Sequence, residues 1–147
     1  GALAELHYAS LERDRAQLPV PAIRLTGGGT QALRAAPGKL LLLDFFSSGC
    51  GWCVTGDELL EAWRKGPGAD KVAIVSVSTD HRAAARAKWT EAVSWDVADD
   101  NEGEAAMTAF LKVRGTPAYC VIDEQGRVYA VATGVRALEY LLRRLGG

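Results

Sequence analysis

The chain predicts an α/β fold with a central mixed sheet flanked by helices, and three observations carry that expectation. Two continuous apolar runs, Lys39–Phe46 and Val72–Val77, have the length and flanks of strands buried on both faces. Segments of helical spacing alternate with them, as parallel β-α-β units require. Towards the C-terminus two further strands are joined by Glu124-Gln125-Gly126, a hairpin turn that makes their pairing antiparallel.

Residues 1–18 read as a lead-in with Leu3, Leu6 and Leu11 at roughly helical spacing, ended by Pro19 and Pro21. The domain proper is expected over 19–147. Ala22–Leu25 suits a short strand, and Gly27-Gly28-Gly29 after it a flexible turn. That triplet lacks the Lys-Ser/Thr ending of a phosphate-binding loop. Lys39–Phe46 follows as a buried strand bounded by Pro37-Gly38 and Ser47-Ser48-Gly49. Leu59, Leu60 and Trp63 repeat at helical spacing until Gly66-Pro67-Gly68 stops them. Beyond Val72–Val77, an alanine-rich helix is expected from about Arg82 to Ala92 and a short strand near Ser94–Val97. Asp99-Asp100-Asn101 offers caps for a helix from about Glu102 to Lys112. Tyr119–Asp123 and Arg127–Ala132 are the hairpin strands. A final helix, about Val135 to Leu145, buries Leu138, Leu141, Leu142 and Leu145. No repeat, low-complexity tract or linker divides the domain.

Bulk properties narrow the function. The chain has 147 residues, 48% of them apolar, enough for one domain with its own core. A net charge of −1 with scattered Lys and Arg gives no nucleic-acid surface. No run approaches the roughly 18 apolar residues of a membrane span, and no basic-then-apolar leader is visible.

The cysteines are more telling. Cys50 and Cys53 lie three apart, with Cys120 alone further on. A bridge between the first two closes a tiny loop and constrains the unfolded chain very little, so it is a poor staple. Their placement suits chemistry: they follow a buried strand and open a helix, where free N–H groups and the helix dipole favour a thiolate. The first thiol of such a motif can have a pKa of about 3.5–7.5. Cys50 is then the attacking sulfur, and Cys53, one turn further in, resolves the mixed disulfide. A zinc site would need further ligands, and His7, His81 and Cys120 are isolated from one another, so no metal and no cofactor is expected. A structural buried pair is the remaining bland alternative.

The run LLLDFFSSGCGWC resembles the active-site strand and turn of thioredoxins, and VRGTPAYCVIDEQGRV resembles the segment of that family bearing its cis-proline. The stretch PVPAIRLTGGGTQALRAAPGKLLLLDFF is similar to the N-terminal hairpin of the TlpA-like and ResA-like branch, as is IDEQGRV. The resemblance spans most of Pro19–Leu145. It implies a thioredoxin fold with an N-terminal hairpin and a protein disulfide oxidoreductase that works on cysteine-containing protein substrates with a further redox partner. The branch implies a reductase outside the cytoplasm.

Residue by residue, the resemblance makes Cys50 the nucleophile and Cys53 the resolving thiol. It makes Pro117 a cis residue beside the sulfurs, and Thr116 a source of backbone hydrogen bonds to an extended substrate. Asp44 is an acid in an apolar run, where desolvation raises its pKa. The resemblance puts it beneath Cys53 as a proton acceptor; a strand-end acid reaching solvent is the bland reading. Trp52 departs from the residues usual between the two cysteines, and is either an apolar platform for substrate or packing over the loop. Ser76 stands where thioredoxins often carry a lysine, so no Lys–Asp pair is expected. Cys120 reads as a buried, inert thiol. His81, Trp63, Trp89 and Trp95 are given no catalytic part.

Two rivals differ in kind. A thioredoxin-fold peroxidase normally sets its cysteine in T-x-x-C, and Ser47-Ser48-Gly49-Cys50 lacks the threonine. A metal-binding or interaction module would not need Cys50 to turn over.

Overall fold

A computed structural model describes residues 16–80 and 83–146 of the chain. His7 and most of the lead-in, together with His81, lie outside the described residues. Strands β1 (Ala22–Arg24) and β2 (Thr30–Ala32) pair antiparallel across the glycine triplet. Then come β3 (Leu40–Phe46), α1 (Gly51–Trp63), a 3-10 turn at Ala69–Lys71, β4 (Val72–Ser78) and α2 (Ala83–Ala92). The chain continues through β5 (Asp96–Ala98), α3 (Asn101–Leu111), β6 (Ala118–Ile122), β7 (Val128–Thr133) and α4 (Val135–Gly146). Among the described residues the expected elements are present, most shifted at an end by a residue or two.

The main sheet runs in the order β5-β4-β3-β6-β7. β3, β4 and β5 are parallel, β6 runs antiparallel to β3, and β7 antiparallel to β6. β3 is central, so its seven residues have no solvated face. Alternation divides them between two cores. Leu41, Leu43 and Phe45 pack with Met107 and Leu111 of α3 and with Ile23 and Leu33 of the hairpin. Leu42 and Phe46 pack on the other face with Cys53 and Leu60 of α1, Trp95, and Leu138, Leu141 and Leu142 of α4. Asp44 belongs to that second face, between Leu42 and Phe46.

Local chemistry explains the boundaries. Asp100 caps α3: its Oδ1 accepts from the Gly103 N–H at 3.0 Å, and its Oδ2 from the Arg24 N–H at 3.0 Å. One side chain thus starts a helix and ties β1 to it. The β6–β7 turn is held by Asp123, whose Oδ1 accepts from the N–H groups of Gln125 and Arg127, both at 2.9 Å. Gly126 takes φ +77° there, a conformation L side chains avoid. At the start of the described chain, the Leu18 N–H donates to the Gly126 carbonyl and Leu18 is buried in the first core.

Candidate active site

The site begins where β3 ends. Ser47-Ser48-Gly49 leaves the sheet and α1 starts at Gly51, with Cys50 as its N-cap residue in extended backbone. The Cys50 Sγ accepts from the Cys53 N–H at 3.1 Å, one of the donors that a helix start leaves free. Cys50 and Cys53 are joined by a disulfide, with their Cα atoms 5.2 Å apart. Their surroundings differ. Cys50 is half-buried at the helix mouth, whereas Cys53 is 0% exposed. Trp52 between them is 69% exposed, and Val54 beside it is also open to solvent. The indole therefore projects from the surface and does not fold over the loop.

Two side-chain contacts hold the loop. The hydroxyls of Ser47 and Thr116 are hydrogen-bonded at 2.6 Å, and the Ser48 N–H donates to Asp80 Oδ2 at 2.6 Å. The first brings the Gly115-Thr116-Pro117 loop against the approach to Cys50. The Thr116–Pro117 peptide bond is cis, and Pro117 is buried. Thr116 also lines a polar recess of about 250 Å³ with Ser47, Thr79, Glu104, Thr108 and Arg114.

Beneath α1 the sheet carries a polar row inside an apolar core. Strand register sets Asp44 opposite Ser76 on β4 and opposite Tyr119 on β6. The Ser76 hydroxyl donates to Asp44 Oδ2 at 2.8 Å, and Trp95 Nε1 donates to the Ser76 hydroxyl at 2.8 Å. Asp44 is fully buried, which excludes the strand-end acid reaching solvent. Burial drives its carboxyl above the usual range, against the lowering effect of its hydrogen bonds to Asp57 and Ser76. Ser76 thus orients the acid without neutralising it.

Asp57 escaped the sequence reading. It is buried on α1, in the stripe Cys53, Gly56, Asp57 and Leu60 that faces the sheet. An acid at a stripe position was the available signal. Its carboxyl is raised first by burial and then by the adjacent carboxyl of Asp44. The Oδ1 atom of each acid is buried without a hydrogen-bond partner. Carboxylates only accept, so two of them buried side by side favour holding one proton over carrying two charges. Tyr119 completes the group: its hydroxyl is buried without a partner, and burial with the two acids pushes its ionisation up.

Cys120 points away from all of this. It pairs with Leu43 and lies in the first core, across the sheet from Cys53. Burial pushes its thiol up to about 12. Trp89 stacks on Phe46 with ring centroids 4.3 Å apart, and Trp95 is buried beside Ser76, so both are packing residues with polar edges. Trp63 is half-buried against the second core.

A helix mouth bearing a vicinal cysteine pair, over a buried acid and beside a proline loop, defines a thioredoxin-fold redox protein. The Redoxin family model matches residues 15–139, and the chain belongs to that family. No curated protein matches it. Solved structures share the fold. The thioredoxin domain of a thiol-disulfide oxidoreductase from Bacteroides vulgatus superposes with a TM-score of 0.72 at 19% identity, over 91% of this chain and 98% of that one. A thiol:disulfide interchange protein from Bacteroides sp. gives 0.67 at 21% identity, over 87% and 88%. StoA from Bacillus subtilis gives 0.65 at 17% identity, over 84% and 96%.

Proposed function

We propose that the protein is a disulfide oxidoreductase that exchanges dithiol and disulfide with cysteine-containing protein substrates, working as a reductase. One observation carries the reading: Cys50 caps a helix and its sulfur accepts a backbone N–H, while Cys53 waits in the core one turn away. The first arrangement stabilises a thiolate at the helix mouth; the second keeps the resolving thiol from outside reagents.

In the reduced protein the Cys50 thiolate attacks a substrate disulfide, forming a mixed disulfide and releasing one substrate thiolate. Cys53 then loses its proton to Asp44 and attacks Cys50 Sγ. The Cys50–Cys53 bond forms, the bond to substrate breaks, and the second substrate sulfur leaves as a thiolate that water protonates. The protein loses the two electrons that the substrate gains, and a dithiol partner must restore them. Thr116 and Pro117 are assigned to substrate, whose extended chain would lie along their loop. Trp52 is assigned to an apolar contact with the same substrate, which its exposure supports. The branch resemblance extends the reading to a site of action outside the cytoplasm.

Insulin-disulfide reduction with dithiothreitol as electron source tests this. Turnover by the wild type and only background by Cys50→Ser are expected. Equal rates from the two proteins would remove Cys50 from the chemistry. Equilibration with glutathione decides direction: a potential well below that of glutathione supports a reductase, and one well above it an oxidase.

A further inference from the structure

We propose that Asp57 is the proton outlet of the redox pair, receiving through Asp44 the proton that Cys53 gives up and passing it to solvent through the cavity between α1 and α2. The inference deepens the oxidoreductase reading and rests on it. Three placements carry it. Asp57 lies four residues after Cys53 on the buried face of α1, so the two are neighbours one turn apart. Side chains on a helix lean towards its N-terminus, which tilts the Asp57 carboxyl back to the turn of Cys53. On its sheet side the carboxyl meets that of Asp44.

The third placement sets Asp57 apart. It lines an open cavity of about 360 Å³ walled by Val54, Glu58, Glu61, Lys65 and Trp89 among others, and Asp44 does not. Asp44 is sealed between Ser76, Tyr119 and the helix, with no described route of its own to water. A proton deposited there would be trapped, and each catalytic cycle must clear it. Asp57 touches both the sealed acid and the cavity.

The groups around Asp57 are consistent with a group that gains and loses a proton. From β3 Asp44 faces it, from β6 the partnerless Tyr119 hydroxyl, and from α2 the Trp89 Nε1, a donor whose hydrogen bond to Asp57 works against the upward shift. Ser76 on β4 reaches it only by fixing Asp44. On α1 itself Glu61 adds repulsion, while Glu58 and Lys65 line the cavity where protons meet solvent. Among these described side chains no cation neutralises the acid pair at close range, so the pair holds a proton in preference to two charges.

The step balances without a further reagent. Cys53–SH transfers its proton to the acid pair, and its sulfur bonds to Cys50 as the Cys50–substrate bond breaks. The proton held by the pair then leaves from Asp57 to cavity water. Asp57 acts through Asp44 and touches no substrate, so it is a relay residue.

Single-turnover reaction of the reduced protein with 5,5′-dithiobis(2-nitrobenzoate) separates the steps. Attack by Cys50 releases one thionitrobenzoate, and resolution by Cys53 releases the second. For Asp57→Asn the first phase should stay within about twofold of wild type, while the second slows by roughly 10- to 100-fold near neutral pH. The deficit should shrink as pH rises and hydroxide takes over the proton. Asp57→Ser repeats the test should the amide variant fail to fold. A second phase with wild-type rate and pH profile overturns the relay, as does equal slowing of both phases, which would mark Asp57 as structural. If the wild type itself releases no second equivalent, the oxidoreductase reading fails instead.

Discussion

Cys50, Cys53 and Cys120 share one side chain and have three different fates, set by where the backbone puts each sulfur. Cys50 receives an N–H at the helix mouth, Cys53 is enclosed one turn deeper, and Cys120 faces the opposite core. The sheet separates Cys120 from the redox pair, and burial holds its thiol protonated at any physiological pH. Cys120→Ala should therefore leave insulin reduction within about twofold of wild type. The lost sulfur leaves a small cavity, and stability should fall by about 1 kcal/mol in urea unfolding. A collapse of turnover without loss of fold would mean that Cys120 exchanges with the pair, against its place in the sheet. The same contrast shows what local sequence can and cannot reveal. Cys50 and Cys53 were legible because their spacing and the strand-to-helix junction are local. That Cys120 is inert because it lies across the sheet follows from strand alternation combined with pairing to Leu43, a long-range fact.

Helix α1 passes close over β6 at Gly56. A Cβ built on Gly56 would fall on the Tyr119 hydroxyl, so with the ring where it is, glycine lets the helix seat at its observed depth. That depth is what lowers Cys53 and Asp57 onto the polar row of the sheet. Gly56→Ala is expected to cost about 1–3 kcal/mol despite alanine's better helix propensity, because helix or ring must shift. Tyr119→Phe removes a hydroxyl that has no hydrogen-bond partner, and should be neutral or stabilising. Combining the two should recover most of the Gly56→Ala loss, and a double-mutant cycle from denaturant midpoints measures the recovery. Strict additivity would show that the two groups do not collide. At this scale the long elements were legible: the runs of β3 and β4, the leucine stripe of α4 and the Asp100 cap each leave a local pattern. Asp57 was not, because Leu59, Leu60 and Trp63 mark the helix without revealing that the acid four residues after Cys53 turns onto the sheet. Nor was the row Ser76, Asp44, Tyr119, which exists only once three strands are set in register.

For the molecule as a whole, the two buried acids tie stability to pH in a direction opposite to that of most carboxylates. The Asp44 and Asp57 carboxyls are raised above the ordinary aspartate value of about 3.9, burial being the largest cause for each. Between that value and their folded ones the native state holds protons that the unfolded chain has released, so stability falls as pH rises. Each such proton is worth roughly 1 kcal/mol per pH unit. Asp100 behaves conversely: the Gly103 N–H and the Arg24 backbone hold its carboxyl below the usual range. Its contribution is complete above about pH 4 and is lost only as pH falls through its folded value, so it stays constant at neutral pH. The oxidised wild type should therefore show a urea midpoint that drops between about pH 5 and pH 8. The double variant Asp44→Asn/Asp57→Asn should show a much flatter profile and greater stability at the upper end, since neutral amides carry no buried charge. A double variant whose midpoint falls with the wild-type slope would place the responsible protons elsewhere. A flat wild type would mean that the acids are already ionised in the fold and share no proton between them. The measurement thus reads the same pair that the thionitrobenzoate kinetics read, through equilibrium and not through rate.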